Sequence, residues 1–505
     1  MSKSKKLDIL FVNPGNQAQI FQSLGRELTA IENPVWAGLM ATYCRRKGFN
    51  VDIFDSNALG KDAKQTALRV GELNPELVVV VVYGHQPSAS TQNMPACQVT
   101  CNAIKELYPD IKILIVGGHV ASLPKQTLEE ESVDFVCSGE GPQTICELVE
   151  VLKQGRADYS EVSSLYYYDS KGQIQSTKSA PLIKDLDHEM PEVAWDLLPM
   201  EKYRAHNWHC LEGLDREPYV AIYTTLGCPY HCSFCCIQAP FKEGERALGY
   251  KEAVNSYRFW SPKRVIETLD TLVEKYGVKN VKFADEMFVL NRKHVEEICD
   301  LIIERGYNLN IWAYARVDTV QDSMIDKLKK AGFNWLAFGI ESANKKVRHD
   351  VNKGFDQELI FKTIEKVRAA GINVIGNYIF GLPEDDLTSM QETLDLALEL
   401  NCEFANFYCS MAYPGSPLYE TVIKKEKKLL PQKWSGYSQH SLDMLPLATN
   451  YLSAGEVIRF RDEAFNTYFS SPKYLEMIEN KFGVEAKKHI QRMLSHKLIR
   501  ENVKV

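Results

Sequence analysis

Cys228-Pro229-Tyr230-His231-Cys232-Ser233-Phe234-Cys235-Cys236 follows a predicted strand at residues 219–225, and the fold is read outward from it. Thiols at intervals of four and three residues on one loop can point inward to a common metal centre. A cubane iron-sulfur cluster normally takes four thiolates. CxxxCxxC supplies three, so one iron is left for another ligand. The competing reading is a structural zinc site, but zinc prefers CxxC pairs completed by a second pair or by histidines, and none follows. Cys236 leaves an ambiguity, because a vicinal cysteine can stand in for Cys235.

Downstream, the pattern is helix, glycine, strand. The predicted units are 261–276, Gly277, 281–284; 291–305, Gly306, 309–314; 323–331, Gly332, 335–339; and 357–370, Gly371, 374–380. A last pair, 387–400 and 404–411, lacks the glycine. Ser261 with Pro262 is a helix start, and glycine past a helix end is a stop. With 219–225 this makes six strands alternating with helices, which predicts a partial (β/α)6 TIM barrel whose active site lies at the C-terminal strand ends. Those ends carry Asp285 and Glu286, Arg316, Glu341 and Ser342, then Gly381 and Glu384, and finally Tyr413-Pro414-Gly415.

The cysteine spacing and this series of strand ends resemble the radical S-adenosylmethionine (SAM) superfamily. The resemblance selects Cys228, Cys232 and Cys235 as ligands of a [4Fe-4S] cluster whose open iron chelates SAM. It implies that Asp285 and Glu286 lie where the SAM amino group binds. Arg316 would bind the SAM carboxylate or pair with an acid near the cluster. Glu341 and Ser342 would meet the ribose hydroxyls, and Gly381 and Glu384 would lie beside adenine, although Asn377 stands where the family motif leads with glycine.

In residues 1–155, apolar runs at 7–12, 51–54, 77–82, 111–116 and 135–137 alternate with helical segments such as 34–46 and 98–107. Continuous β-branched runs between helices predict a doubly wound, Rossmann-like parallel sheet. Ligands bind outside the carboxyl ends of such strands. Here those ends carry Asn13-Pro14-Gly15, Tyr83-Gly84-His85-Gln86, Gly117-Gly118-His119 and Ser138-Gly139-Glu140-Gly141-Pro142. There is no GxGxxG after the first strand, which argues against a dinucleotide. The set resembles the cobalamin-binding domain that precedes the radical SAM domain in one subgroup. It implies Asn13, Tyr83, Gly84, His85, Gly117, Gly118, Ser138, Gly139, Glu140 and Gly141 as cobalamin contacts. The loop 13–18 has no histidine, so a corrinoid would be bound without an imidazole from it; His85 or Gln86 could approach its lower face, or His85 could simply bond backbone. A bare flavodoxin-like domain is the alternative.

Residues 156–218 read as a β-hairpin and a proline-punctuated connector, and 416–505 as a helical cap over the open side of the barrel, with Trp434, Tyr437 and His440 either substrate contacts or packing residues. The expected divisions are therefore 1–155, 156–218, 219–415 and 416–505.

The 505-residue chain, 45% hydrophobic and 25% charged with a net charge of -7, has an ordinary globular composition and no electrostatic footprint for nucleic acid. No apolar run is long enough to span a bilayer. Thirteen cysteines, odd in number and scattered outside the loop, suit a reducing, cytoplasmic setting. The resemblance implies an enzyme that cleaves SAM to a 5'-deoxyadenosyl radical, with cobalamin as methyl carrier, an electron donor such as a flavodoxin or ferredoxin, and a small-molecule substrate methylated at an unactivated carbon. The alternatives are a cobalamin-dependent radical cyclase, as in anaerobic magnesium-protoporphyrin ester cyclisation, and an iron-sulfur electron-transfer or binding protein.

Overall fold

The computed structural model describes residues 6–15, 22 and 29–504. Residues 16–18 of the first strand-end loop lie outside the described residues, so the reading of that loop rests on sequence alone.

The first sheet has the order β2-β1-β3-β4-β5-β6-β7. Its strands are β1 (Ile9–Asn13), β2 (Val51–Asp55), β3 (Leu77–Val81), β4 (Ile113–Val116), β5 (Phe135–Cys137), β6 (Leu165–Tyr168) and β7 (Ile174–Ser176). The first five are parallel, and β3 and β4 are buried along their whole length. This is what uninterrupted Val and Ile runs require, since both faces of the sheet are covered by helices. The hairpin β6–β7, expected in the connector, instead extends this sheet antiparallel to β5. Its burial falls from Leu165, which is buried, to Tyr168, which is exposed, as the hairpin runs out to the sheet edge. The helix Ala89–Leu107 starts well before the predicted 98, with Pro95 inside it. Pro95 lies in the second turn, where a missing N–H removes only one ladder bond.

The second sheet is parallel throughout, in the order β15-β14-β13-β12-β11-β8. Its strands are β8 (Tyr219–Ile222), β11 (Asn280–Phe283), β12 (Asn310–Ala315), β13 (Phe333–Glu341), β14 (Asn373–Phe380) and β15 (Phe404–Cys409). The predicted strand 219–225 breaks at its end: β9 (Thr225–Gly227) turns out of the barrel and pairs antiparallel with β10 (Tyr257–Phe259). This two-stranded arm brackets the cysteine loop. The helix-stop glycines behave as read, Gly277 and Gly306 taking the left-handed conformation at helix ends.

Six strands leave the barrel open, so β8 and β15 each have a free edge. A carboxamide covers each one in the manner of a short strand. Asn33 accepts from Ala221 N (2.8 Å) and donates to Ala221 O (3.1 Å) on β8. Gln439 accepts from Cys409 N (2.9 Å) and donates to Cys409 O (2.9 Å) on β15. Arg461, from the helix Ala454–Ser470, donates to Phe407 O (2.8 Å) on the same edge. The helix Ala454–Ser470 therefore lies along β15. Trp434 packs edge-on against His119 (4.4 Å between ring centroids), and Tyr437 is buried.

Candidate active site

The cysteine loop is held from both ends. Asn255 Nδ2 donates to Cys228 O (3.0 Å) and Tyr230 O (2.8 Å), and Gln238 Oε1 accepts from Cys228 N (3.1 Å). Cys228 and Cys236 are buried, while Cys232 and Cys235 are half-buried. Burial pushes the Cys228 thiol up to about 12, so an electropositive neighbour is needed for a thiolate. Arg316 is such a neighbour: its guanidinium approaches Cys232 Sγ (4.0 Å) and lies over the Tyr230 ring (4.0 Å). Among the described residues, no three His, Cys, Asp or Glu side chains meet closely enough to hold a single ion. A cubane does not ask for that, because each thiolate takes a different iron. The set thus fits a cluster held at separate corners better than one zinc ion.

The strand ends divide into ligand-facing and structural groups. Asp285 is a strut: its Oδ1 accepts from Thr224 N (2.9 Å), Thr224 Oγ1 (2.8 Å) and Thr225 Oγ1 (2.6 Å). It fixes the kink between β8 and β9, so its carboxylate is taken up by protein. Burial pushes it up to about 6, with the threonine hydrogen bonds pulling the other way. Glu286 is different. It faces a cavity, and burial pushes its carboxyl up to about 8, eased by Lys282 and worsened by Asp285. Arg316 is bound bidentately by Asp318 (2.9 and 2.9 Å). Glu341 sits at a β-bulge with φ of 63°, strained backbone of the kind that collects at functional sites, and pairs with Lys353. Ser342 is fully buried, its hydroxyl shared with Thr393 (3.1 Å) and accepting from Asn344 N (3.2 Å), which removes it as a ribose contact. Gly381 has φ of 78° and faces Val457, and Glu384 pairs with Lys346 (2.6 Å) and accepts from Asn450 (2.8 Å) at the rim.

Two family profiles match this chain: "B12 binding domain" over residues 23–149 and "Radical SAM superfamily" over 222–397. The chain belongs to the cobalamin-binding branch of the radical SAM superfamily. It is 27% identical over 472 residues to an uncharacterized methyltransferase of Pyrococcus horikoshii, covering 93% of this chain and 94% of that one. It is 27% identical over 425 residues to the anaerobic magnesium-protoporphyrin IX monomethyl ester cyclase of Rubrivivax gelatinosus, covering 83% of this chain and 70% of the cyclase. Its fold is similar to that of the cobalamin-dependent SAM radical enzyme OxsB, solved with aqua-cobalamin and SAM bound (TM-score 0.69, 16% identity, 97% of this chain and 72% of that one).

As a radical SAM enzyme the chain uses a [4Fe-4S] cluster, SAM and cobalamin, and residues from both of its α/β units line one cavity. Trp36, Tyr83, Gly84, His85, Ser90 and Gly118 line it from the first sheet, and Tyr223, Cys236, Phe241 and Glu286 from the radical SAM side. Trp36 stacks on Tyr83 (4.3 Å). At Gly118 a Cβ would have its nearest neighbour at 3.7 Å, leaving room for a ligand edge. His85 Nε2 donates to Asn33 O (2.8 Å), and its Nδ1 lies 2.9 Å from Glu32. Nε2 is thus committed to backbone, the second of the two roles expected for this histidine. Gln86 points away from the cavity, donating to Tyr314 OH (2.6 Å) in the barrel.

The remaining residues expected at cobalamin have other work. Asn13 donates to Asp55 (2.8 Å). Ser138 Oγ donates to Glu243 (2.6 Å), and Glu140 forms a buried bidentate pair with Arg258 (2.7 and 3.2 Å). Gly139 packs on Ser164, Gly117 on Val82, and Gly141 against Val116 and Met40. The 138–141 loop is therefore the dock on which the cysteine arm rests. Sequence reading missed Trp36, Tyr223 and Phe241, which carry no motif and are recognisable only by where they meet.

Proposed function

We propose that this radical SAM enzyme is a cobalamin-dependent C-methyltransferase acting on an unactivated carbon of a small molecule. The observation that carries the proposal is the single cavity in which Tyr83, His85 and Gly118 face Tyr223, Cys236 and Glu286, since methyl donor and radical source must share one space. With its cofactors bound, the site has one-electron cleavage of SAM and a corrinoid methyl carrier at its disposal. Cys228, Cys232 and Cys235 would hold the cluster, with Arg316 favouring the thiolate of Cys232. Glu286 is the better placed of the acidic pair for the SAM amino group, and Glu341 the better of its pair for the ribose. Asn33 and Gln439 keep both barrel edges closed so that water does not enter between strands.

The half-buried face of Cys232 and Cys235 is where an electron donor such as a flavodoxin or ferredoxin would approach, in a cytoplasmic, reducing setting. No helix among the described residues is long and apolar enough to cross a membrane. In this reading, residues 1–155, extended by the hairpin, serve the corrinoid, 219–415 serve the cluster and SAM, and 416–505 brace the barrel.

A cyclase reading is favoured by the 27% identity to the Rubrivivax gelatinosus protein. Product counting separates the two on anaerobically reconstituted enzyme given a metabolite extract. Methyl transfer yields S-adenosylhomocysteine together with 5'-deoxyadenosine; cyclisation yields only the latter. Absence of both, or cleavage retained in Cys232→Ala, would defeat the proposal.

A further inference from the structure

We infer that Lys353 is a specificity-determining residue for the ribose of SAM, because it fixes Glu341 by one carboxylate oxygen and leaves the other to read the sugar hydroxyls. This deepens the proposed function and rests on its placement of Glu341 beside the ribose. Lys353 Nζ pairs with Glu341 Oε1, and both side chains are under a tenth exposed. Among the described residues Glu341 Oε2 has no hydrogen-bond partner, and neither do the remaining hydrogens of Lys353 Nζ. An acceptor and a donor thus stay available on one ion pair, which complements a vicinal diol whose hydroxyls both donate and accept.

The backbone is arranged to make this pair. Glu341 follows a register shift in β13 and has φ of 63°, and Asn352, next to Lys353, has φ of 58°. Left-handed backbone at a glutamate is strain that its surroundings must hold. A buried ion pair adds little net stability, so stability alone does not account for that strain. A Cβ at Gly339 would stand 2.5 Å from Lys353 Nζ and 2.6 Å from Glu341 Oε1, so the glycine leaves the pair room to lie across the strand. Gly339 is itself half-buried, and the pair therefore borders open space rather than packed protein. Burial, Tyr314 and Glu341 push the Tyr408 hydroxyl up, which puts the Glu341 carboxylate within electrostatic reach of β15.

The turn that carries Lys353 also rests on the cysteine loop. Ser233 N donates to Val351 O (3.2 Å), Asn352 Nδ2 donates to His231 O (3.3 Å), and Phe234 packs against the cluster of Val347, Val351 and Leu382. Residues 351–353 therefore set the spacing between the loop that would hold the iron-sulfur cluster and the carboxylate that would hold the ribose. Fixing the two ends of one molecule relative to each other is what orients the bond to be broken.

5'-Deoxyadenosine and 2',5'-dideoxyadenosine differ by one ribose hydroxyl, and calorimetric titration of each into the reconstituted enzyme with methionine present tests this without turnover. The wild-type enzyme should favour 5'-deoxyadenosine by about tenfold. Lys353→Met should bring the ratio close to one by weakening 5'-deoxyadenosine alone, and Lys353→Arg, which keeps a cation for Glu341, should restore most of the preference. Cluster absorbance and an unchanged affinity for the dideoxy probe report an intact site. Gly339→Ala, which displaces the pair and removes neither charge, should also lower the ratio, and it decides the matter if Lys353→Met does not fold. A preference that survives in Lys353→Met, or an equal loss of both probes, would overturn the inference while leaving Glu341 at the ribose. No preference in the wild-type enzyme would overturn both. Failure of the wild-type enzyme to cleave SAM would instead count against the function proposed above.

Discussion

Arg258→Met should separate a structural role for Glu140 from a cofactor role. Arg258 Nη2 and Nη1 reach Glu140 Oε1 and Oε2 at 2.7 and 3.2 Å, and both side chains are under a tenth exposed. Arg258 also donates to Ile183 O (2.6 Å) and packs its guanidinium 5.0 Å from the Phe241 ring. Removing it leaves the Glu140 carboxylate buried with Ile183 N (3.1 Å) as its remaining partner. An uncompensated charge of this kind costs about 3–5 kcal/mol. Glu140→Gln should also destabilise, by leaving the arginine unpaired. The double variant Glu140→Gln/Arg258→Met removes both charges, and Met fills the arginine's apolar path. It should therefore be more stable than the Arg258→Met single variant, with a coupling of at least about 2 kcal/mol. Urea unfolding followed by circular dichroism reads the stabilities, and limited proteolysis of the 177–218 connector reads the docking of the first sheet on the cysteine arm. Additive losses would refute the clamp. A fall in cobalamin affinity for Glu140→Gln at unchanged stability would restore Glu140 as a corrinoid contact.

Three further outcomes are expected. Alanine at Cys228, Cys232 or Cys235 should abolish cluster loading, read as iron content and visible absorbance, whereas Cys236→Ala should load normally; the reverse at 235 and 236 would exchange their roles. Glu286 holds its proton up to about 8 in the folded chain against 4.5 ordinarily, so the folded state binds more protons between those values and stability falls as pH rises through them, by up to about 1.4 kcal/mol per pH unit. Urea midpoints of the cluster-free chain should show this slope, and Glu286→Gln should flatten it. Gly381→Ala sets a Cβ 2.5 Å from Val457 Cγ1 at a φ of 78°, which should cost about 1–3 kcal/mol. Adding Val457→Ala should recover only part of that loss, because the strained φ remains; full recovery in the urea midpoint would show that φ is not limiting.

Much of the architecture was legible because it is local. The Val and Ile runs of β3 and β4 are strands buried on both faces whatever surrounds them, and Gly277 and Gly306 end helices through their own backbone freedom. The cysteine spacing is a property of one loop, so it can be read without a fold. The hairpin β6–β7 is legible as a hairpin, but its place on the edge of the first sheet is not, since nothing in its residues says which sheet edge it will join.

What the sequence by itself determined, then, is the order of the main elements, the parallel strands β1–β5 and those of the second sheet, and the three-cysteine loop. Only the tertiary structure decided which polar residue at each strand end is taken up by protein and which faces the cavity. Neighbours in sequence were separated by partners far away: Asp285 by Thr224, 61 residues off, leaving Glu286 to the cavity, and Glu140 by Arg258, 118 residues off. The physical reason is that a buried polar group must be paired. Its partner is set by packing between distant segments, so two carboxylates that read alike in a motif end with opposite roles.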